Sequence, residues 1–381
     1  MLFTELWSYR VIERLLAEAG IQINGSNPWD ITVHNKDFYS RILKSGTLGL
    51  GESYVEGWWD CPSIDSFIDK LYRSNIESKI KQNKRLLLRL FFHRVFNFQT
   101  KHRAFEVGRK HYDLGDDLFM SMLDKRMTYT CAYWKKAKNL DQAQEAKLEL
   151  VCQKLGLKPG MRVLDVGCGW GAFLQYAAEK YGISGVGITV SKDQAVLAQQ
   201  NCREFPIEIR FEDYRELKKS GEKMEKFDRI VSLGMFEHVG HKNYKTYMKI
   251  MYDSLKPGGL FLLHTIGRDD TSYATDEWIA KYVFPNGMLP SIKQIGESIE
   301  KLFVMEDWHN FGADYDKTLL AWHENFNKNW DKLKNNYDHN FFRLWNYYLL
   351  TCAGAFRARV NQLWQIVLSK EGVPGGYVSV R

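Results

Sequence analysis

The sequence has few residues that would crosslink it and no long apolar run that would hold it inside a membrane. Its 381 residues include six cysteines, which are scattered and form no C-x-x-C pair. No apolar run approaches the roughly 20 residues that are needed to span a bilayer. The first apolar run carries acidic and basic side chains throughout, unlike a secretory signal peptide. We therefore expect a cytoplasmic protein with reduced thiols, whose contact with a membrane is peripheral.

Strong compositional bias is also absent. Hydrophobic residues make up 45% and charged residues 26% of the chain, which are ordinary globular values and exclude disordered and fibrous classes. The length predicts two domains or one large one. Aromatic residues reach 14%, with 12 tryptophans. Most of these rings are expected in the core, although such a composition also suits apolar or cationic ligands.

Positive charge is concentrated in one stretch of a chain whose formal net charge is +7. Between Lys79 and Lys110 there is one acidic residue, Glu106, and the run KRLLLRLFFHRVFNF interleaves cations with Leu and Phe. A solvated interdomain helix, a membrane-surface element and a nucleic-acid-binding patch are the three interpretations. No nucleic-acid recognition motif accompanies the stretch, so we expect no nucleic acid partner. We favour the membrane, because interleaved cations and apolar residues suit anionic lipid. The cations are Lys79, Lys81, Lys84, Arg85, Arg89, Arg94, Lys101, Arg103, Arg109 and Lys110.

The pattern along the chain predicts a small mixed domain over residues 1–75, a basic amphipathic linker over 76–110 and a larger domain over 111–381. In the first, we expect helices at 6–19 and 64–72, with short strands and turns at 31–34 and in the glycine-rich stretch 46–59. From about residue 145, helices and strands alternate, which predicts an α/β fold with a doubly wound, mostly parallel sheet. Residues 270–330 break this rhythm and are expected to form an insertion over the ligand edge of the sheet. A helix and a final strand are predicted over 341–370.

The strongest single motif is VLDVGCGWG at 163–171, where a buried strand runs into D-x-G-x-G-x-G and a helix follows. Glycines let the backbone approach a ligand closely at a helix N-terminus. Asp165 lies inside the strand, two residues before Gly167, which differs from the dinucleotide fingerprint G-x-G-x-x-G and resembles motif I of the class I methyltransferases. The alternatives are a dinucleotide loop and an inert turn. The next strand ends at Thr189, where an acidic residue usually holds the ribose of the cofactor.

Eight further blocks, in order, carry a more specific resemblance. The blocks are HYDLGDDLF (111–119), MTYTCAYW (127–134), GITVSKDQ (187–194), GMFEHVG (234–240), LLHTIG (262–267), FPNGMLPS (284–291), FGADYDKTL (311–319) and CAGAFRAR (352–359). With them, the chain resembles the cyclopropane-fatty-acyl-phospholipid synthases over nearly its whole length, including GLGESYVEGWW at 49–59 in an N-terminal domain that mycolic acid cyclopropane synthases lack. In this family the second strand ends in Thr, which accounts for Thr189.

The resemblance implies a Rossmann-like class I methyltransferase fold that binds S-adenosylmethionine. It also implies transfer of a methylene group to cis double bonds of unsaturated acyl chains in membrane phospholipids, and a homodimer at the inner face of the cell membrane. A related enzyme that gives a methyl-branched product and a catalytically idle lipid-binding protein are the competing hypotheses. The implied cofactor contacts are Tyr129, Thr130, Asp165, Gly167, Cys168, Gly169, Trp170, Gly171, Thr189, Gln194, Asp213 and Tyr214.

The resemblance further implies that a bicarbonate ion acts as the base. An ionised Glu237 cannot donate a hydrogen bond, so it either orients His264 or is itself protonated. Taken singly, Cys131 suits a core thiol and His264 a core histidine. Glu237 suits a polar residue of a loop, and Tyr315 an aromatic ring at a rim. A zinc site would need paired ligands at short spacing, which these residues do not provide, and we expect no metal. The implied ligands are Cys131, Glu237, His264, the backbone of Ile266 and Tyr315, with Cys352 as a second thiol that we expect to line the pocket.

Overall fold

The computed structural model describes residues 2–75, 114–217 and 225–381. These residues form two compact units. The helical unit comprises the described residues of 1–122, 275–285 and 319–360, and the sheet unit comprises the described residues of 123–274, 286–318 and 361–381. The predicted domain boundaries at 75 and 110 border or fall within residues outside the description, as does the predicted basic linker, so they stay predictions. The described residues add that two later segments pack with the N-terminal ones.

The helical unit is built from helices with one short two-stranded ladder. The ladder pairs Thr32 with Asp60 and Val33 with Trp59 in antiparallel register. None of the described helices is long and apolar enough to cross a membrane. In chain order the described elements up to residue 122 are α1 (Leu2–Glu18), β1 (Thr32–Val33), α2 (Phe38–Val55), β2 (Trp59–Asp60), α3 (Ile64–Arg73) and α4 (Asp116–Met122).

The sheet unit begins with three helix–strand repeats, and two of their helices have side-chain N-caps. The side chain of Asn139 accepts a hydrogen bond from the Gln142 amide at the N-terminus of the first helix, which ends at Gly156 in a left-handed conformation. Ser191 caps a later helix in the same way. These elements are α5 (Leu140–Leu155), β3 (Arg162–Val166), α6 (Ala172–Tyr181), β4 (Ser184–Thr189), α7 (Lys192–Cys202), β5 (Ile207–Phe211) and β6 (Phe227–Leu233).

The remaining elements complete both units. Ser291 and Gln294 form a reciprocal capping box at the start of one short helix. The long helix that begins at Ala313 contributes its first residues to the sheet unit and the rest to the helical unit. These elements are α8 (Tyr244–Ser254), β7 (Leu255–Gly267), α9 (Glu277–Tyr282), α10 (Ile292–Ile299), β8 (Val304–Asn310), α11 (Ala313–Leu333), α12 (His339–Arg357) and β9 (Gln362–Ser369).

One seven-stranded sheet organises the sheet unit, in the order β5-β4-β3-β6-β7-β9-β8. The pairings from β5 to β7 are parallel, and β9 runs antiparallel between β7 and β8. The central strands are buried on both faces by two apolar clusters, as parallel sheets require. The predicted doubly wound, mostly parallel α/β sheet is therefore confirmed.

Two sequence predictions of local structure are wrong. Residues 46–55, predicted as strands and turns, are the second half of α2, which bends at Gly46 with φ 54°. Their glycines serve close packing instead: a Cβ at Gly51 would lie 2.3 Å from Cδ1 of Trp278. Residues 304–310, assigned to an insertion, form β8 and hydrogen-bond to β9.

Candidate active site

The glycine-rich loop joins the end of β3 to the start of α6. Gly167, Gly169 and Gly171 all have positive φ, at 84°, 54° and 84°. A Cβ at Gly167 would lie 2.7 Å from the side chain of Met235, and one at Gly171 would lie 2.8 Å from Sγ of Cys202. Glycine is therefore required at both ends of the loop for conformation and for space.

The other predicted cofactor residues follow neighbouring strands. At the end of β4, the Thr189 hydroxyl donates a hydrogen bond to Oε1 of Gln194 at 3.1 Å. After β5, an ion pair with Arg215 lowers the pKa of Asp213, and the ring of Tyr214 packs edge-on against another tyrosine. Because the carboxyl ends of parallel strands share one sheet edge, these residues and the glycine loop lie along the same edge.

Asp165 in β3 and Lys147 in α5 are buried ionisable residues that interact electrostatically. Burial raises the pKa of Asp165 to about 7, and its Oδ1 has no hydrogen-bond partner among the described residues. Lys147 is fully buried in α5, where desolvation lowers its pKa to about 8. Its ammonium group donates a hydrogen bond to Oγ1 of Thr130 at 2.9 Å. This contact ties a predicted cofactor residue to the core of the sheet unit.

Glu237 lies in a 3-10 helix of one turn, Phe236–His238, just beyond β6. Its Oε1 accepts a hydrogen bond from the backbone N–H of Ile266 at 2.7 Å. Burial raises the pKa of the carboxyl to about 7. Two of the predicted anion ligands are thus in direct contact, and a protonated Glu237 is accessible near neutral pH.

His264 precedes Ile266 by two residues on β7, so both lie on the same side of the pleated strand. The imidazole is 1% exposed, and burial lowers its pKa well below the usual range, which keeps it neutral. Nε2 of Gln365 lies 3.3 Å from Nδ1 of His264. If the Gln365 amide donates to Nδ1, the ring proton resides on Nε2, an atom with no partner among the described residues.

Cys131 and Tyr315 belong to two segments that are joined by hydrogen bonds. The Thr318 hydroxyl accepts from the Ala132 amide at 3.1 Å, and the Asp314 carboxylate accepts from the Trp134 amide at 2.8 Å. Cys131 is fully buried, and desolvation raises its pKa well above 9.0, so it stays a neutral thiol. Tyr315 follows Asp314 at the start of α11 and is 9% exposed.

One aromatic ring connects this region with the histidine. The Phe311 centroid lies 5.3 Å from that of Tyr133, which is two residues from Cys131, and 5.9 Å from that of His264. Phe311 therefore links His264 to the segment that carries Cys131. Cys352 instead lies in α12 of the helical unit, where burial raises the pKa of its thiol to about 12. A thiol held protonated in this way is a poor nucleophile.

With this geometry in place, the comparisons with known proteins can be stated. Residues 99–366 match the family model described as mycolic acid cyclopropane synthetase. The chain belongs to this family. It is 54% identical to the cyclopropane-fatty-acyl-phospholipid synthase of Escherichia coli (strain K12) over 368 residues, which cover 97% of this chain and 94% of that relative.

Solved structures of cyclopropane synthases are also similar to this chain in fold. The cyclopropane synthase MmaA2 from Mycobacterium tuberculosis is 32% identical, with a TM-score of 0.63 over 72% of this chain and 100% of that one. Mycolic acid cyclopropane synthase CmaA1, complexed with SAH and CTAB, is 33% identical, with a TM-score of 0.63 over 70% of this chain and 98% of that one. The predicted family and the predicted class, an S-adenosylmethionine-dependent methyltransferase, are confirmed.

The sequence prediction did not include Lys147 or its neighbour Gln144. The signal was present in α5, whose buried positions recur with helical spacing and include these polar residues along with Lys154. A lysine at a position where periodicity demands an apolar side chain indicates a paired, buried charge. Among the described residues, no group of three His, Cys, Asp or Glu side chains is arranged to hold a metal ion.

Proposed function

We propose that this family member transfers a methylene group from S-adenosylmethionine to the cis double bond of unsaturated acyl chains in membrane phospholipids. The product is a cyclopropane fatty acyl chain. The observation that carries the proposal is the buried set in which Glu237 bonds to the Ile266 amide beside a neutral His264. The likeness to the Escherichia coli synthase over 97% of the chain supports the phospholipid substrate.

The reaction requires a neutral, dry pocket with donors for a small anion. When bound, S-adenosylmethionine would supply the methyl group, and a bicarbonate ion held by Cys131, Glu237, His264, Ile266 and Tyr315 would supply a base for the proton that the carbocation must lose. His264 suits the anion because its Nε2 is buried and unpartnered among the described residues. The Cys131 thiol, the Tyr315 hydroxyl and a protonated Glu237 would add donors, since uncharged donors stabilise an anion without competing for the proton.

Cofactor binding is proposed at the sheet edge that carries the glycine loop. The backbone of 167–171 would approach the cofactor at the N-terminus of α6, while Thr189 and Gln194 would hold the ribose through their hydroxyl and amide groups. Tyr129 and Thr130 would close the site from the segment before α5. Asp213 and Tyr214 would flank the base, with Asp213 already neutralised by Arg215.

We further propose that the protein works as a homodimer at the inner face of the cell membrane. The support for the membrane location is the basic, Leu- and Phe-rich stretch 79–110, where cations alternate with apolar residues. That stretch lies outside the described residues. A methyl-branched product remains the second candidate, since the fate of the carbocation depends on how fast the added carbon is deprotonated.

The test uses the full chain with S-adenosylmethionine labelled at the methyl group and vesicles that contain cis-unsaturated phospholipids. We expect label in the acyl chains and a mass gain of CH2, with cyclopropane protons in the NMR spectrum. A methylated alkene has the same mass but retains olefinic protons, and this result would identify the second candidate. Absence of label from the lipid would contradict both.

A matched pair of glycine variants controls for the cofactor loop. Gly167→Ala places a Cβ 2.7 Å from Met235, whereas Gly160→Ala has a similar positive φ, 81°, but open space around it. Both variants suffer backbone strain, but only Gly167→Ala should abolish labelling. Equal activity of the two variants would remove the loop from the cofactor site.

A further inference from the structure

The segment that leads from α4 to α5 has no regular secondary structure where it carries the proposed ligands. Residues 127–134 form neither helix nor strand. They include Tyr129 and Thr130, assigned above to the cofactor, and Cys131, assigned to the anion. The Tyr133 amide donates to the Ala143 carbonyl at 3.0 Å, and side chains supply further hydrogen bonds that hold the segment. The groups that hold it therefore decide whether both binding sites are assembled.

Two side chains from α5 perform this task. The amide nitrogen of Gln144 donates to the carbonyl oxygen of Thr130 at 2.8 Å and to that of Thr128 at 3.2 Å. One turn later, the Lys147 ammonium donates to the Thr130 hydroxyl at 2.9 Å. Both side chains are fully buried. The backbone and the side chain of Thr130 are thus bound from the same helical face.

Lys147 also lies among buried acidic groups. Asp124 and Asp165 interact electrostatically with its ammonium group. The Asp124 carboxylate accepts from the Thr128 amide at 2.8 Å, so it fixes the start of the same segment. Asp165 lies in β3, the strand that leads into the glycine loop. A buried ammonium is costly unless it is paired and hydrogen-bonded, so its retention here points to a role that an apolar residue would not fulfil.

We propose that Lys147 is a positioning residue that holds Thr130 and with it segment 128–131, so that one buried cation orders the part of the chain that serves both the methyl-donor site and the anion pocket. Gln144 assists it by holding the carbonyl groups of the segment. This inference rests on the proposed placement of S-adenosylmethionine, but it does not depend on the lipid product.

The test compares two lysines of the same helix. Lys147→Met removes the cation but keeps the length of the side chain. Lys154→Met makes the same change seven residues later, at an equally buried lysine whose partners are Asp307 and His309. Calorimetric titration with S-adenosylhomocysteine should show binding weakened about tenfold or more by Lys147→Met, the effect of losing a hydrogen bond to a charged group. Lys154→Met should bind within about twofold of the wild type, because its charge pairs with β8.

Thermal unfolding of both variants separates positioning from stability, since each loses a buried ammonium group. If both variants weaken cofactor binding equally, Lys147 has only a structural role and the inference is wrong. If Lys147→Met does not fold, Gln144→Leu decides: we expect about threefold weaker binding, as for one neutral hydrogen bond, and unchanged binding would overturn the inference. Weakened binding by Lys147→Met in a protein that never labels lipid would support this inference while contradicting the proposed function.

Discussion

At the scale of single residues, burial makes the acids of the candidate site ionise close to neutral pH. Glu237 and Asp165 both have their pKa raised to about 7 because they are removed from water. Burial also disfavours the charged form of His264, and it therefore lowers the pKa of this histidine well below the usual range. Just below pH 7, Glu237, Asp165 and His264 are therefore mostly uncharged. This suits a site that must accept an anion and tolerate a carbocation.

A raised pKa has a consequence for stability. Glu237 is neutral in the folded state up to about pH 7, whereas in the unfolded chain it ionises around 4.5. Between these values the folded state binds more protons, so this group destabilises the fold increasingly as pH rises. Glu237→Gln removes that ionisation. The stability of the variant relative to the wild type should therefore increase by about 2 kcal/mol between pH 5 and pH 8.

Urea denaturation of both proteins at the two pH values measures this difference. The comparison cancels every other titrating group that the substitution leaves unchanged. A stability difference that is the same at pH 5 and pH 8 would contradict the raised pKa of Glu237.

At the scale of elements, α2 shows why the glycine-rich stretch was mispredicted. Gly49 and Gly51 lie within a helix, a position that glycine disfavours by local propensity. The close approach of the Trp278 ring to Gly51 accounts for the exception, because no other side chain leaves room for it. Nothing in the local sequence identifies a partner more than 200 residues away.

The packing of α2 against Trp278 can be tested with a matched pair of glycine variants. Gly51→Ala forces a Cβ into Trp278, which is 2% exposed, and should destabilise the helical unit by about 1–3 kcal/mol. Gly296→Ala, in the middle of α10, meets no atom within 4 Å and should instead stabilise the protein by about 0.5–1 kcal/mol. Denaturation midpoints report both, and a stabilising Gly51→Ala would show that Trp278 does not pack there.

The missed strand β8 has a different cause. Its sequence VMEDWHN is largely polar, and its residues are mostly exposed or half-buried at the edge of the sheet. An edge strand needs no continuous apolar run, so its pattern resembles that of a loop. Pairing with β9, which is buried from Leu363 to Ser369, decides its structure.

At the scale of the whole molecule, the +7 net charge is relevant to the membrane proposal. Six cations lie between Lys79 and Arg94, and each is expected to contribute about 1 kcal/mol near an anionic surface. Replacing all six by Gln should weaken association with anionic vesicles strongly and remove most of its dependence on salt. Sedimentation with vesicles at two salt concentrations measures the effect.

The control replaces six exposed cations elsewhere and so produces the same net charge. It should weaken association far less, because those residues are not interleaved with apolar side chains. Equal losses for the two variants would show that net charge alone drives binding, and that the basic stretch has no special role. The control positions are Lys158, Lys192, Lys242, Lys245, Lys293 and Lys301.

The sequence by itself determined the features that depend on neighbouring residues. The strand–turn–helix of the glycine loop, the caps at Asn139 and Ser191 and the alternation of strands and helices all follow from local patterns, and the ordered blocks indicate the family. Only the tertiary structure decided which distant groups meet. Glu237 bonds to an amide 29 residues away and Lys147 to a hydroxyl 17 residues away. Such contacts, and the pKa shifts that burial causes, depend on how strands pair and helices pack, which short-range sequence patterns do not encode.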